Sequence, residues 1–148
     1  MKIRLAFDDF ELNGYELISP LKGKNPLKLD EYIDNGEADE IICDSILEYV
    51  PVSNLMDFIK VLATKIKHGG TIVFTGQDLM MLAEQYIRGE IDILSLNKTL
   101  YGLANHAWNF KLSCVTLSDV NEICQQLNLK VLERKLNNTE FVIKVQRQ

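Results

Sequence analysis

The residues of this chain that are equipped for chemistry gather where short apolar runs end. Asp44-Ser45 and then Glu48-Tyr49 follow the run from Glu40 to Cys43, Gln77-Asp78 follow Thr71 to Thr75, and Asp8-Asp9 follow KIRLAF at residues 2–7. Carboxylates and amides in such places can orient a bound molecule or take up a proton, and ligands of open α/β sheets lie beyond the carboxyl ends of the strands. His106, in a polar loop, is the acid–base candidate of neutral pH, although a lone loop histidine is more commonly just solvated. Trp108 reads as an anchor for that loop rather than as a ligand platform. The three cysteines, Cys43, Cys114 and Cys124, are odd in number and lack metal-ligand spacing, so they read as reduced thiols and no metal site is expected.

The element that must position most of these groups is a β-α-β unit between Ala38 and Leu79. Apolar residues at 55, 58, 59, 62 and 66 keep the helical period. Ile41-Ile42 and Ile72-Val73-Phe74 are continuous runs of the kind expected for strands buried on both faces, and Gly69-Gly70 are expected to release the second strand. Such a unit crosses over right-handed, so its strands are parallel. KIRLAF and YELIS (15–19) predict two further strands, PLKGKNPLK (20–28) a loop, and LKLDEYIDNG a turn or two of helix stopped by Gly36. Asp8-Asp9 read as an exposed turn before Gly14.

Leu79, Leu82, Ala83, Tyr86 and Ile87 predict a helix lying on the sheet, with Met80 and Met81 as core fillers. Residues 89–113 break the pattern and read as an irregular insertion; loops of that length are uncommon unless functional. Thr116 and Asp119 form a capping pair for a helix, and LKVLERKL and TEFVIKVQ, joined by Asn137-Asn138, a hairpin. The expected fold class is α/β: a mixed, mostly parallel sheet with helices on both faces, thin on one side because little helix separates the first two strands.

Composition narrows the function classes. A net charge of −5 leaves no basic stripe of the kind a nucleic-acid backbone requires, so no nucleic-acid partner is expected. No run approaches a membrane span and no secretory leader is evident at Met1, so a cytoplasmic protein is expected. Residues 1–148 read as one domain, complete at its C-terminus.

The wording ADEI, LEY and IKHGGTIVFTGQDL resembles the second half of the class I S-adenosylmethionine-dependent methyltransferases, of the small type 11-like kind. That resemblance implies a Rossmann-like fold with S-adenosylmethionine as cofactor and residues 89–113 as a lid over the substrate. It implies cofactor contacts from Ala6, Phe7 and Asp8 in the first loop, Ser19 where the family has its ribose-binding acid, Asp30 near the adenine, and Cys43, Asp44 and Ser45. It places Asp44, Tyr49 and His106 in catalytic positions, with Glu48, Gln77, Asp78, Tyr101, Trp108 and Asn109 about the substrate.

The chain departs from the family at Gln77 for a proline, Tyr49 for a histidine, Lys111 for a histidine, and Ser19 for the acid. In the first loop, Phe7, Asp8, Asp9 and Phe10 stand where glycines belong, adding bulk and negative charge where backbone approaches the ligand. Two functions follow. One is methyl transfer to a small-molecule, sugar-like or protein acceptor. The other is a pseudoenzyme, a catalytically inactive scaffold that binds a partner subunit or forms a homodimer through the lid and the thin side.

Overall fold

Alternation of apolar and polar residues along each strand builds one six-stranded sheet. The computed structural model describes all residues, 1–148. In chain order the elements are β1 (Lys2–Leu5), β2 (Glu16–Ile18), β3 (Ala38–Asp44), α1 (Leu55–Lys65), β4 (Ile66–Gln77), α2 (Leu79–Ile87), α3 (Ile93–Tyr101), α4 (Leu117–Gln126), β5 (Leu129–Asn137) and β6 (Glu140–Arg147). The spatial order is β2-β1-β3-β4-β6-β5; the first four are mutually parallel, and β6 runs antiparallel between β4 and β5. This is a mostly parallel sheet closed by an antiparallel hairpin.

One face carries the core. Ile3, Leu5, Ile41, Cys43, Ile72 and Phe74 point into it, and α1 covers it with Leu55, Ile59 and Leu62, the helical-period residues. Val120 and Cys124 of α4 complete the layer, and that helix is started by a full capping box between Thr116 and Asp119. Each such large apolar side chain removed from water stabilises the fold by roughly 1.5–3 kcal/mol before entropy is charged against it.

The other face differs from expectation. Ile42 and Val73 are only half-buried, so β3 and β4 alternate rather than being sealed on both sides. No helix separates β1 from β2, because residues 8–14 have no helical period. Their loop crosses this face instead, its Phe10 carbonyl taking a hydrogen bond from Arg4 at 2.8 Å. Farther along, Glu40 accepts bonds from Thr71 (2.9 Å), Lys144 (2.8 Å) and the Tyr15 hydroxyl. Partial burial pushes the Glu40 carboxyl up, but the three donors outweigh it and hold it at about 2, while the bond to Glu40 pushes the Tyr15 phenol to about 12. A polar network thus does on this face what a helix does on the other.

Four further expectations need correction. β4 begins at Ile66, directly after α1, so Gly69-Gly70 lie inside the strand at an irregularity in its register with β3. A Cβ on Gly70 would stand 3.0 Å from the Asp39 carbonyl, which is why the second position stays glycine. The hairpin turns one residue later than expected, at Asn138-Thr139, with Asn138 in the left-handed region. Residues 89–113 contain the helix α3, started by Asp92, whose carboxylate accepts from the Ser95 N–H. Finally, α2 buries only Leu82, and Met80 is exposed. No helix is long and apolar enough to cross a membrane.

Candidate functional site

The carboxyl ends of β1, β3 and β4 meet around one buried cation. Arg4 sits on the open side of β1 between the rows of Leu17 and Ile42, and its guanidinium closes a two-point bond on Asp8 (2.7 and 2.8 Å) while reaching Asp44 at 2.5 Å. The second Asp44 oxygen accepts from the Thr75 hydroxyl at 3.2 Å. Arg4 holds the Asp8 carboxyl below the usual carboxylate range, and the bond to Asp8 in turn raises the guanidinium well above its ordinary value. Asp8 is therefore neither a free turn residue nor an unpaired charge. Ser19 is sealed beside it: its hydroxyl donates to the Asp8 carbonyl at 2.5 Å and accepts from the Leu21 N–H, starting the short turn Pro20–Lys22.

Next to this cluster opens a cleft of about 530 Å³. Its walls are Phe7 after β1, Tyr49 in the turn after β3, the loop from Pro20 to Leu27, and Trp108, Phe110 and Leu112 of the segment between α3 and α4. Phe7 stacks on Tyr49 with ring centres 3.9 Å apart and stands 5.7 Å from Trp108, whose other neighbour is the stacked ring of His106 at 4.9 Å. Burial, with the nearby Glu48 charge, pushes the Tyr49 phenol up, so at neutral pH it is a hydrogen-bond donor and not a base. Its hydroxyl reaches Asn109 at a long 3.5 Å.

The segment between α3 and α4 is fastened by a second ion pair. Glu48 is 5% exposed. One of its oxygens accepts the Gln77 N–H at 2.9 Å, and the other lies 2.9 Å from the Lys111 ammonium in an ionic contact without good hydrogen-bond direction. The Glu48 carbonyl accepts from Leu112 and Ser113, and the Ser113 hydroxyl bonds the Leu47 carbonyl. Gly102, at φ +84°, lets the chain leave α3; a Cβ there would come within 2.9 Å of the Asn109 carbonyl.

These contacts reassign several residues expected at the site. Glu48 and Asp78 are structural: Asp78, buried, caps α2 through the Met81 N–H and α4 through the Leu117 N–H. Gln77 accepts from Thr139. Cys43 points into the core, where burial pushes its thiol well up, and Ala6 is fully buried. Asp30 lies on the outer surface, paired with Lys65 at 2.5 Å. Tyr101 is exposed on α3. Ser45 terminates β3 in the left-handed region and donates its N–H to Thr75. Phe7, Tyr49 and Trp108 do come together, His106 and Asn109 beside them, with Asp44 behind Arg4.

Sequence reasoning missed Arg4 and the loop wall from Pro20 to Leu27. The signal for Arg4 was present: an arginine at a non-core position of KIRLAF, four residues before an acid. No group of three or more His, Cys, Asp or Glu side chains is placed to hold a metal ion.

Matched by shape against solved structures, the chain aligns with an O-methyltransferase family protein from Burkholderia thailandensis at TM-score 0.58 and 15% identity, covering 90% of this chain. It also aligns with a SAM-dependent methyltransferase from Archaeoglobus fulgidus at 0.57 and 11% identity, covering 97% of this chain and 74% of that one. This chain has the class I methyltransferase fold. At TM-score 0.61 and 12% identity it likewise matches a possible exported protein from Bordetella parapertussis, over 99% of its length. It spans 36% of the Burkholderia protein and 61% of the Bordetella one. No protein-family model and no curated protein matches the sequence. Within this fold the N-terminal half is reduced: the crossover between β1 and β2 is a loop, and that loop is locked by Arg4.

Proposed function

We propose that this protein is a methyltransferase-type enzyme that takes S-adenosylmethionine in the aromatic cleft and methylates a flat or apolar small-molecule acceptor. The observation that carries the reading is the cleft's position: it lies at the carboxyl ends of β1 and β3 in a class I methyltransferase fold, and its volume of about 530 Å³ suits one small ligand. The Archaeoglobus and Burkholderia proteins of this fold are methyltransferases by name, which supports the same reading.

The side chains fit the purine part of that cofactor. Phe7, Tyr49 and Trp108 present ring faces and edges to the cleft, and Lys24 and Asn25 add polar groups at its rim. The polar part finds fewer free partners, since Ser19 is sealed and Asp8 and Asp44 are both engaged by Arg4. When bound, S-adenosylmethionine supplies an electrophilic methyl group. This chain's residues then act mainly by positioning: the ring wall fixes the purine, the lid excludes water, and the Tyr49 hydroxyl donates a hydrogen bond. His106, exposed and stacked on Trp108 outside the cleft lining, is our candidate to accept a proton from an acceptor hydroxyl.

A second reading, ligand binding without transfer, is motivated by the closed Arg4–Asp8–Asp44 network, which leaves neither carboxylate a free oxygen. Titration calorimetry separates the proposal from its failure. Dissociation constants for S-adenosylmethionine and S-adenosylhomocysteine tighter than about 100 μM, worth about 5 kcal/mol, are expected, weakened at least tenfold by Trp108→Ala. No heat at millimolar ligand refutes the cofactor assignment; binding without methyl transfer to any of a panel of phenolic and hydroxylated acceptors leaves the second reading.

A further inference from the structure

Neither α2 nor α3 is anchored as a short amphipathic helix ordinarily is. The first buries only Leu82 and the second buries no residue at all. Their sequences are nevertheless apolar: LMMLAEQYI and ILSLNKTLY carry one charged residue each, Glu84 and Lys98. Of the α2 residues that sequence reasoning assigns to the sheet, Leu79, Leu82, Ala83, Tyr86 and Ile87, only Leu82 is buried and Ala83 is half-buried. Leu79, Tyr86 and Ile87 face solvent instead, with Ile87 82% and neighbouring Met80 62% exposed. On α3, Ile93, Asn97 and Tyr101 lie along one line beside Leu94, and the three apolar members are 58%, 61% and 60% exposed respectively. The two helices are held by their caps, by each other and by Leu82 and the half-buried Leu96 and Leu100, which leaves the outer stripes without a cover.

We propose that a second copy of this chain supplies it, the α2–α3 pair of one protomer packing on the same pair of the other. The size is right. With roughly 200 Å² available to an aromatic side chain and somewhat less to an aliphatic one, the exposed fractions of these residues amount to several hundred Å², on the order of the ~800 Å² per partner of a standard interface and of the size at which an exposed apolar patch marks an interaction site. The composition is right as well. A surface nearly free of charge is self-complementary, as a two-fold contact requires, and Asn97 in the middle of its stripe gives the contact one polar pair that fixes register. Charge argues against a lipid surface, because the groups that flank the stripes are three acids, Glu84, Glu90 and Asp92, against two bases, Lys98 and the Arg88 that pairs with Glu84, a sum of −1 and not a basic cluster, and the chain carries −5 overall. α3 runs through Gly102 into the segment before α4, so this contact also steadies one wall of the cleft.

Sedimentation equilibrium of the full chain tests the inference. A dimer with a dissociation constant at or below about 10 μM is expected. Ile87→Asp combined with Leu94→Asp should weaken it at least ~100-fold without changing far-UV circular dichroism at concentrations where both are monomeric, since both side chains are exposed in the protomer. Val52→Asp, an exposed apolar position on the turn before α1, should leave the dimer unchanged. A chain that stays monomeric, a dimer indifferent to the double substitution, or a monomer that co-sediments with phosphatidylcholine–phosphatidylglycerol vesicles overturns it.

Discussion

Replacing Lys111 by methionine should loosen the segment between α3 and α4 and cost more than the ion pair itself is worth. At 2.9 Å and an effective dielectric of about 20 the gross attraction between Lys111 and Glu48 is about 6 kcal/mol. Most of that is offset by taking both ions out of water, the Glu48 side chain being 6% and that of Lys111 17% exposed. The pair therefore contributes little net stability, yet removing one member strands the other, a loss of about 3 kcal/mol at the low end of measured cases. The low end applies because Glu48 keeps the Gln77 N–H. Urea unfolding at neutral pH should show this loss, equivalent to a melting point lower by about 6–12 °C for a chain of this size. Trp108 is the only tryptophan, and it sits in the segment between α3 and α4, so its emission should shift red in the native baseline. The double variant Glu48→Gln with Lys111→Met removes both charges and should lie within about 1 kcal/mol of the parent. A single variant within about 0.5 kcal/mol of the parent, or a double variant less stable than the single, refutes the reasoning.

Two other substitutions test the site's scaffold. Arg4→Met should cost about 1–2 kcal/mol at neutral pH, less than a fully buried break because Asp8 and Asp44 can hydrate where they are partly exposed. Its pH signature is separate: Asp8 has a folded value depressed by Arg4, so its contribution is present above the ordinary carboxylate value and is lost as pH falls through the folded one. Acid titration of stability should therefore show a shallower loss below about pH 4 in the variant; an unchanged acid limb counts against the pairing. Asp78→Ala should cost about 2 kcal/mol by uncapping α2 and α4 together, roughly twice an ordinary cap, and Asp78→Asn should recover part of it in the same thermal melt.

The site was half legible in the sequence. The resemblance nominated Phe7 and Trp108, the latter against its reading as a loop anchor, and Tyr49 could be nominated because it follows a strand end; all three line one cleft. Glu48 and Asp78 were nominated because they follow strand ends, and they hold Lys111 and two helix starts respectively. A carboxylate after a strand is equally suited to a ligand, a cap or a lysine, and only burial and partners distinguish them. Ser19 illustrates the same limit, since its hydroxyl could face a ribose or, as it does, the backbone of the adjacent loop.

Period and turn chemistry alone determined the β-α-β unit, the capping box at Thr116 and the C-terminal hairpin, because these depend on residues a few positions apart and on backbone preferences that any context respects. The tertiary structure alone decided that one sheet face would carry a polar network in place of a helix. It also decided that Arg4 would close the first loop by joining residues 4, 8 and 44, and that the apolar stripe of α2 would face outward. Those outcomes depend on which distant groups compete for the same buried cation, carboxylate or surface, and the free energy of that competition is set by desolvation and geometry across the whole sheet, which no local window contains.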